Sequence, residues 1–375
     1  MKHLGKAACA LTVAASMASA GGIERRGDPS MILFEEGKNY LEFSAASVSP
    51  NVSGTARPTA APVTRATGNI LNSYETFGLG YKHQYNDKVA LAFVIDEPVG
   101  ASVNYTGPAA TLGGPFFGTS NAEVSSVAFT AMTKYQINER FSIYGGLRYQ
   151  GLEGSINVIS PATGPAPGGV PIGPAPYALS VDKDYQFGYL LGGAFEIPDI
   201  AMRFAVTYES EIEHDFADNN GTPFKVKIPQ AVTIHAQSGI AANTLLFGSI
   251  KWREWTEFTI QPADFLSYTP APVNSPIASE PNDIWTYELG IGRRFNENWS
   301  GAAILGYEKD EGDPVGNLSG RDGYISYGLA ATYETDAYKV TFGVRYIDVG
   351  SAITSVSSFS DNDAIAAGIR VGFKF

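Results

Sequence analysis

The chain has 375 residues and a formal net charge of −12 at pH 7, with 17% charged and 44% apolar residues, 41 Gly and 20 Tyr. An acidic balance with no basic patch, phosphate loop or dinucleotide fingerprint argues against nucleic-acid binding and nucleotide-driven work, and no cofactor is expected. A mean hydropathy near zero, with no apolar run long enough for a membrane helix, leaves two classes. One is a soluble protein of two or three domains; the other is a membrane wall of strands, in which only every second residue must be apolar.

Residues 1–20, MKHLGKAACALTVAASMASA, read as a signal peptide. Lys2, His3 and Lys6 form the basic start, Ala7 to Ala15 the weakly apolar core, and Ala18 and Ala20 suit cleavage after Ala20. Cys9 is the only cysteine and lies inside this stretch, so neither a disulfide nor a cysteine metal site is expected in the mature chain. Residues 21–38, GGIERRGDPSMILFEEGK, do not alternate. Met31, Ile32, Leu33 and Phe34 form an apolar cluster that needs a surface to pack against. A flexible leader is one reading. The preferred one is a short N-terminal hatch in a lumen, with Met31 to Phe34, Glu35, Glu36, Gly37 and Lys38 facing the cargo.

From residue 39 to 375 no composition break divides the chain, and fourteen strands are predicted. They lie near 39–50, 72–84, 88–97, 121–136, 140–155, 178–196, 199–213, 225–239, 243–257, 282–295, 298–310, 321–335, 337–350 and 363–375. The last is the clearest: Ile365, Ala367, Ile369, Val371, Phe373 and Phe375 point one way, and Ala364, Ala366, Gly368, Arg370, Gly372 and Lys374 the other. A period of two is an extended strand. Large residues on one face, with Gly, Ala, Thr and charges on the other, suit lipid outside and a polar lumen inside. The connections alternate long and short. Tight turns fall at Asn86-Asp87, Asn138-Glu139, Pro198, Ala241-Ala242, Asn296-Glu297 and Asp336, with long loops between them. That predicts an all-β fold, a 14-stranded antiparallel transmembrane β-barrel over 39–375, with both termini on the short-turn, periplasmic side. Closure is required because open sheet edges cannot be satisfied in lipid.

Lumen-facing charges are predicted at Arg148, Arg203, Arg294, Arg345 and Arg370, among others. Their two readings are a network bracing the plug and a channel lining. Tyr135, Tyr149, Trp252, Trp255, Trp285, Trp299 and Tyr333 are candidates for aromatic girdles. Loop 261–281 carries Phe265, Leu266 and Tyr268, which would make an apolar landing site at the outer rim, or pack within the loop. In the third strand region, Pro98 lacks a ladder donor and Gly100 relaxes the chain, so a break at Glu97, Pro98 and Gly100 has a physical basis. Enzyme signatures are weak. His83, His214 and His235 are scattered, and a hydrolase built on His235 and a serine has no local support. The run Glu209, Glu211, Glu213, Asp215, Asp218 reads as an acidic rim or, less simply, a calcium site.

Four segments resemble one family: DPSMILFEEGKNYLEF (28–43), FVIDEPVGASVNY (93–105), KIPQAVTIHAQSGIAANTLLFGSIKWREWTEF (227–258) and LGIGRRFNENWSGAAILGYEKD (289–310). In this order they are similar to the outer-membrane long-chain fatty acid and aromatic hydrocarbon transporters. The resemblance implies fourteen strands, an N-terminal hatch and, at the second segment, an inward kink that opens the wall sideways near Glu97, Pro98 and Gly100. It also implies passive uptake of a hydrophobic small molecule, in outer-membrane lipid that includes lipopolysaccharide, by a monomer placed there by barrel insertion machinery. Where members have Asn-Pro-Ala in the hatch, this chain has Glu35-Glu36-Gly37. A fatty acid carboxylate would need a cation such as Lys38, Arg148 or Arg203. A hydrophilic diffusion porin is the alternative transport reading.

Overall fold

The computed structural model describes residues 23–57, 66–105, 120–159, 176–266, 276–312, 314–316, 318–354 and 357–375. The predicted signal peptide and Tyr268 lie outside them. The wall is a closed antiparallel barrel. Its strands are β1 (Asn39–Asn51), β2 (Tyr74–Gln84), β3 (Val89–Asp96), β4 (Asn121–Gln136), β5 (Phe141–Ile159), β6 (Pro176–Ile197) and β7 (Met202–Glu209). They continue as β8 (Ala231–Ala241), β9 (Thr244–Arg253), β10 (Ile284–Arg294), β11 (Trp299–Glu308), β12 (Tyr324–Glu334), β13 (Tyr338–Val349) and β14 (Asn362–Lys374). Each pairs with its sequence neighbour, and β14 pairs with β1 from Tyr40↔Lys374 to Asn51↔Asp363. Gly100–Asn104 continues β3 end to end along β4.

Alternation sets the faces. On β14 Ile365, Ile369 and Phe373 are exposed on the outside, while Ala364 and Ala366 are buried inside. The same division runs round the wall, with Leu147, Phe187, Leu289 and Leu329 all outward. Such an apolar belt is stable only against lipid.

Three of the short turns share one piece of chemistry. Asn86 Oδ1 accepts from Lys88 N and Val89 N, Asn138 Oδ1 from Arg140 N and Phe141 N, and Asn296 Oδ1 from Asn298 N and Trp299 N. In each the side-chain amide mimics a backbone acceptor and closes the hairpin.

Two predicted strands were too long. β7 stops at Glu209, and Ile212–Ala217 pairs instead with Pro223–Ile228 in a separate hairpin. Pro229 has no amide hydrogen, and the wall strand β8 begins only after it. A four-stranded sheet (Ser53–Ala56, Ala66–Asn69, Ala352–Ile353, Ser357–Phe359) also sits at the long-loop end. Trp255, expected in a girdle, follows the end of β9 in a 3₁₀ turn. It is fully buried against Phe258, with ring centroids 5.5 Å apart.

Candidate functional site

The ladder between β2 and β3 runs from Gln84↔Ala90 only to Leu79↔Ile95. Beyond it the two edges separate, and they meet again at the single bridge Leu71↔Val103. The cause lies at Glu97, Pro98 and Val99. These three residues stand opposite two on β4, since Asp96 pairs with Ala128 and Gly100 with Ser125. One residue too many bends the strand, and Pro98 has no donor to offer. Ser126 takes over locally, accepting from Val99 N at 3.0 Å and donating to Val99 O at 2.6 Å. The backbone ladder of the wall is therefore interrupted between residues 74–78 on one side and 96–101 on the other.

The N-terminal segment covers that interruption from inside. Arg25 N donates to Pro98 O (2.9 Å) and Gly100 N to Ile23 O (2.8 Å), so residues 23–25 act as a short strand on the bent edge. Their side chains reach the other edge. The Arg25 guanidinium lies 4.2 Å from the Tyr74 ring centre and against Gly100, where a Cβ would collide with it. Arg26 fills the space over Gly78, donates to Ser44 Oγ at 3.3 Å and faces Asp96 at 3.7 Å. Glu97 Oε2 accepts from Phe77 N across the interruption at 3.4 Å. Burial pulls the Arg25 pKa below its ordinary value, although Tyr74, Glu97 and Glu123 oppose the shift.

Several other charges on the segment meet partners on the wall. Glu24 pairs with Lys251 and with Arg253 (3.1 Å), which also reaches Glu209 (3.5 Å); Glu209 in turn holds Arg148 at 2.6 Å. Asp28 caps the next turn by accepting from Ser30 N and sits 3.3 Å from His235 Nε2. Burial works to raise the Asp28 carboxyl, but His235, Thr207 and Ser30 overcome it and hold the pKa well below the carboxylate range. The acidic run is likewise dispersed. Glu213 and Asp215 pair with Lys225, Glu211 pairs with Lys227, and Asp218 accepts from Asn220 N and Thr222 N in the hairpin turn.

The turn Pro29–Phe34 buries Ile32, Leu33 and Phe34 against Tyr40, Ala92, Val94, Met132, Tyr144 and Leu190 on the inner wall. Met31 is half-buried beside them. Phe34 stands edge-on to Tyr144 at 5.6 Å, with Arg203 at 4.2 Å and Lys134 at 4.4 Å over its ring. Glu35 is buried against Lys339 at 2.5 Å, and Lys82 Nζ donates to Glu35 O and Gly37 O. Gly37, at φ +94°, turns the chain out of the lumen. Glu36 lies half-exposed 3.9 Å from Lys374, and Gly37 and Lys38 are exposed at the short-turn end. These last residues do not face the interior.

Of the predicted luminal arginines, Arg148, Arg203, Arg345 and Arg370 point inward. Arg203 pairs with Glu196 (2.8 Å), Arg345 with Glu288 (2.8 Å) and Arg370 with Glu42 (3.5 Å). Arg294 differs: it lies at the short-turn mouth with Asn243, Glu297 and Glu334. Phe265 is no landing site, because it is buried with Tyr177 at 4.9 Å beneath the rim. Residues 263–266 do form the expected helical turn. Sequence reasoning passed over Arg25 and Arg26, which looked like an ordinary charged leader.

Two cavities flank the segment. The upper one, about 150 Å³, is lined by Ile23, Glu24 and Arg25 and by apolar wall and loop residues including Val48, Val52, Leu71, Val103, Phe258 and Ile347. Tyr74 and Gly100, at the interruption, also line it. The lower one, about 120 Å³, lies past Arg26 and Asp28 and is lined by Glu35, Glu42, Arg203, Lys251, Glu288 and Arg370 together with Met31, Ile32, Val94 and Phe247. Residues 23–28 thus lie between two cavities, each lined by both apolar and charged side chains.

Residues 5–311 match the family model for outer membrane protein transport protein (OMPP1/FadL/TodX). Among solved structures, a FadL homologue of Pseudomonas aeruginosa is similar at TM-score 0.72 and 12% identity, over 99% of this chain and 98% of that one. The toluene transporter TodX of Pseudomonas putida gives 0.64 and 11%, over 93% and 92%. The toluene transporter TbuX of Ralstonia pickettii gives 0.62 and 11%, also over 93% and 92%. No curated protein matches the sequence. At such identities the structural likeness is one of fold, but the family model spans most of the sequence, and the chain belongs to the OMPP1/FadL/TodX family of outer-membrane transport proteins.

Proposed function

We propose that the protein carries hydrophobic or amphipathic small molecules, such as long-chain fatty acids or aromatic hydrocarbons, passively across the outer membrane. The observation that carries this reading is the pairing of a largely apolar upper cavity with an interrupted ladder in the wall beside it. Apolar cargo entering at the long-loop end is stabilised in that cavity by roughly 25 cal/mol per Å² of apolar surface removed from water. Going on along the axis would bring it past Arg26 and Asp28 and then beside Glu35, Glu42, Arg203 and Arg370. Leaving sideways takes it into hydrocarbon. The long loops face outward, both termini are periplasmic, residues 23–38 act as the hatch, and the concentration gradient supplies the energy. His235 lies against Asp28 of the N-terminal segment, which favours transport over a hydrolase.

The test replaces Pro98 and Gly100 with valine. The bent edge gains a donor, and the new side chain at 100 collides with Arg25. Uptake of a hydrophobic tracer by cells should fall at equal surface abundance. Uptake at the normal rate would rule the lateral route out.

A further inference from the structure

We propose that the floor of the barrel is closed by the wall itself as well as by the N-terminal segment, and that Phe247 is the residue that denies hydrated ions and small polar solutes a way through it. This selectivity depends neither on the identity of the cargo nor on lateral passage.

The hatch covers only part of the lower lumen. Its turn Pro29–Phe34 packs on β1 and on β3 to β7, a few residues above the short turns. Equally close to the short turns, on β9, β11 and β12, the side chains of Leu245, Phe247, Ala302, Ile304 and Ala330 bury one another. Ala201, from the turn between β6 and β7, joins them. Among the described residues, none of the N-terminal segment belongs to this cluster. The sector between the two apolar halves is polar but engaged: Lys339 pairs with Glu35, Lys374 with Glu334, and Thr332 with Thr341.

Strand pairing explains how so few side chains close the space. Leu245 stands opposite Gly239 and Gly292, and Ile304 opposite Gly290 and Gly328. The Phe247 ring lies over Gly290, where a Cβ would collide with it. Each bulky side chain on one strand therefore leans across glycines on its neighbours, and Phe247 is left only 7% exposed.

This collar stands between two polar regions. Above it is the lower cavity, which Phe247 lines beside Gln237, Ser249 and Arg203. Below it is the short-turn mouth, with Arg294, Asn298 and Glu334. The collar side chains offer no hydrogen-bonding group, and Gln237, opposite Phe247, already donates to Ala201 O. An ion moving from cavity to mouth must shed water with nothing to replace it, which is how an apolar constriction excludes charge. Because the barrier belongs to the wall, it stays in place when the hatch moves.

The test uses the full chain in neutral phosphatidylcholine nanodiscs, with Cys9→Ser and silver ion as the probe. Ser249→Cys puts a thiol in the lower cavity, and Glu297→Cys puts one at the mouth. Thiols that escape silver are counted with a maleimide after unfolding. Silver should react quickly with Glu297→Cys and slowly with Ser249→Cys. Adding Phe247→Gln should speed the reaction at Ser249→Cys about tenfold or more, since a hydrogen bond offered to a charge is worth at least that factor. Phe247→Leu, smaller but apolar, should leave it slow. Ala302→Ser keeps the ring, adds one hydroxyl to the collar and should also speed it. Amide exchange in β13 and β14 should match the parent throughout. With the collar intact, a Ser249→Cys that reacts as fast as Glu297→Cys overturns the proposal without any collar substitution. Equal rates in the Phe247→Gln and Phe247→Leu variants, whether both slow or both fast, overturn it as well.

Discussion

Replacing Phe34 with alanine should undock the hatch without unfolding the wall. Phe34 is 5% exposed and is held by Tyr144 at its edge and by Arg203 and Lys134 over its faces. Emptying a buried phenylalanine site costs about 3–5 kcal/mol. Each lost cation–π contact adds roughly 0.5–1 kcal/mol. The wall does not share the loss, because its backbone ladders close through β1 and β14 and none passes through residue 34. The loss therefore falls on a local opening equilibrium. At about 1.4 kcal/mol per factor of ten, 3 kcal/mol raises the open fraction on the order of 100-fold. Amide exchange in detergent micelles measures it: residues 29–36 should exchange at least that much faster, with β9 to β14 unchanged. Equal acceleration throughout the wall, or none at 29–36, would refute the idea that this ring clamps an independently docked segment.

Glu24→Gln leaves Lys251 buried without its acid and Arg253 with Glu209 alone, a defect of about 3–5 kcal/mol for a broken buried pair, and should expose Arg25 and Arg26 to trypsin. Asp28 has a lowered folded pKa, so its contribution to docking is complete above the ordinary carboxylate range and fades as pH falls below it. Asp28→Asn should weaken docking at pH 7 and flatten its acid dependence, as followed by exchange at Ser30 between pH 3 and 7. Removing residues 23–36 joins the two cavities, and planar-bilayer conductance should rise severalfold over a nearly silent parent; a large conductance in the parent would instead favour a hydrophilic porin.

The wall was legible because lipid imposes a strict rule at every second residue, so β4 begins and ends where the pattern does, at Asn121 and Gln136. The turns were legible because Asn86, Asn138 and Asn296 each do local chemistry. What failed depends on contacts distant in sequence. The hairpin strand Pro223–Ile228 alternates as well as β8 does, and only Pro229 betrays the separation. Trp255 and Phe265 are amphipathic or apolar residues near strand ends, and whether they face lipid or rim depends on loops folding over them. Arg294 shares its strand with Glu288 but stands too near the turn to reach across the lumen. Arg25 and Arg26 gain meaning only when the segment lies beside Gly100 and Gly78, residues more than fifty positions away.

The first and last residues of the wall are stitched together: Asn39 N donates to Phe375 O, Phe375 N to Asn39 O, and Glu36 lies beside Lys374. The ring therefore cannot be sealed until the strand that carries Phe375 has been made. The N-terminal segment, made before the wall, is tethered a few residues from that seam. Maturation is accordingly a matter of timing, in which an early-made peptide must wait for the last-made strand before it has a room to occupy.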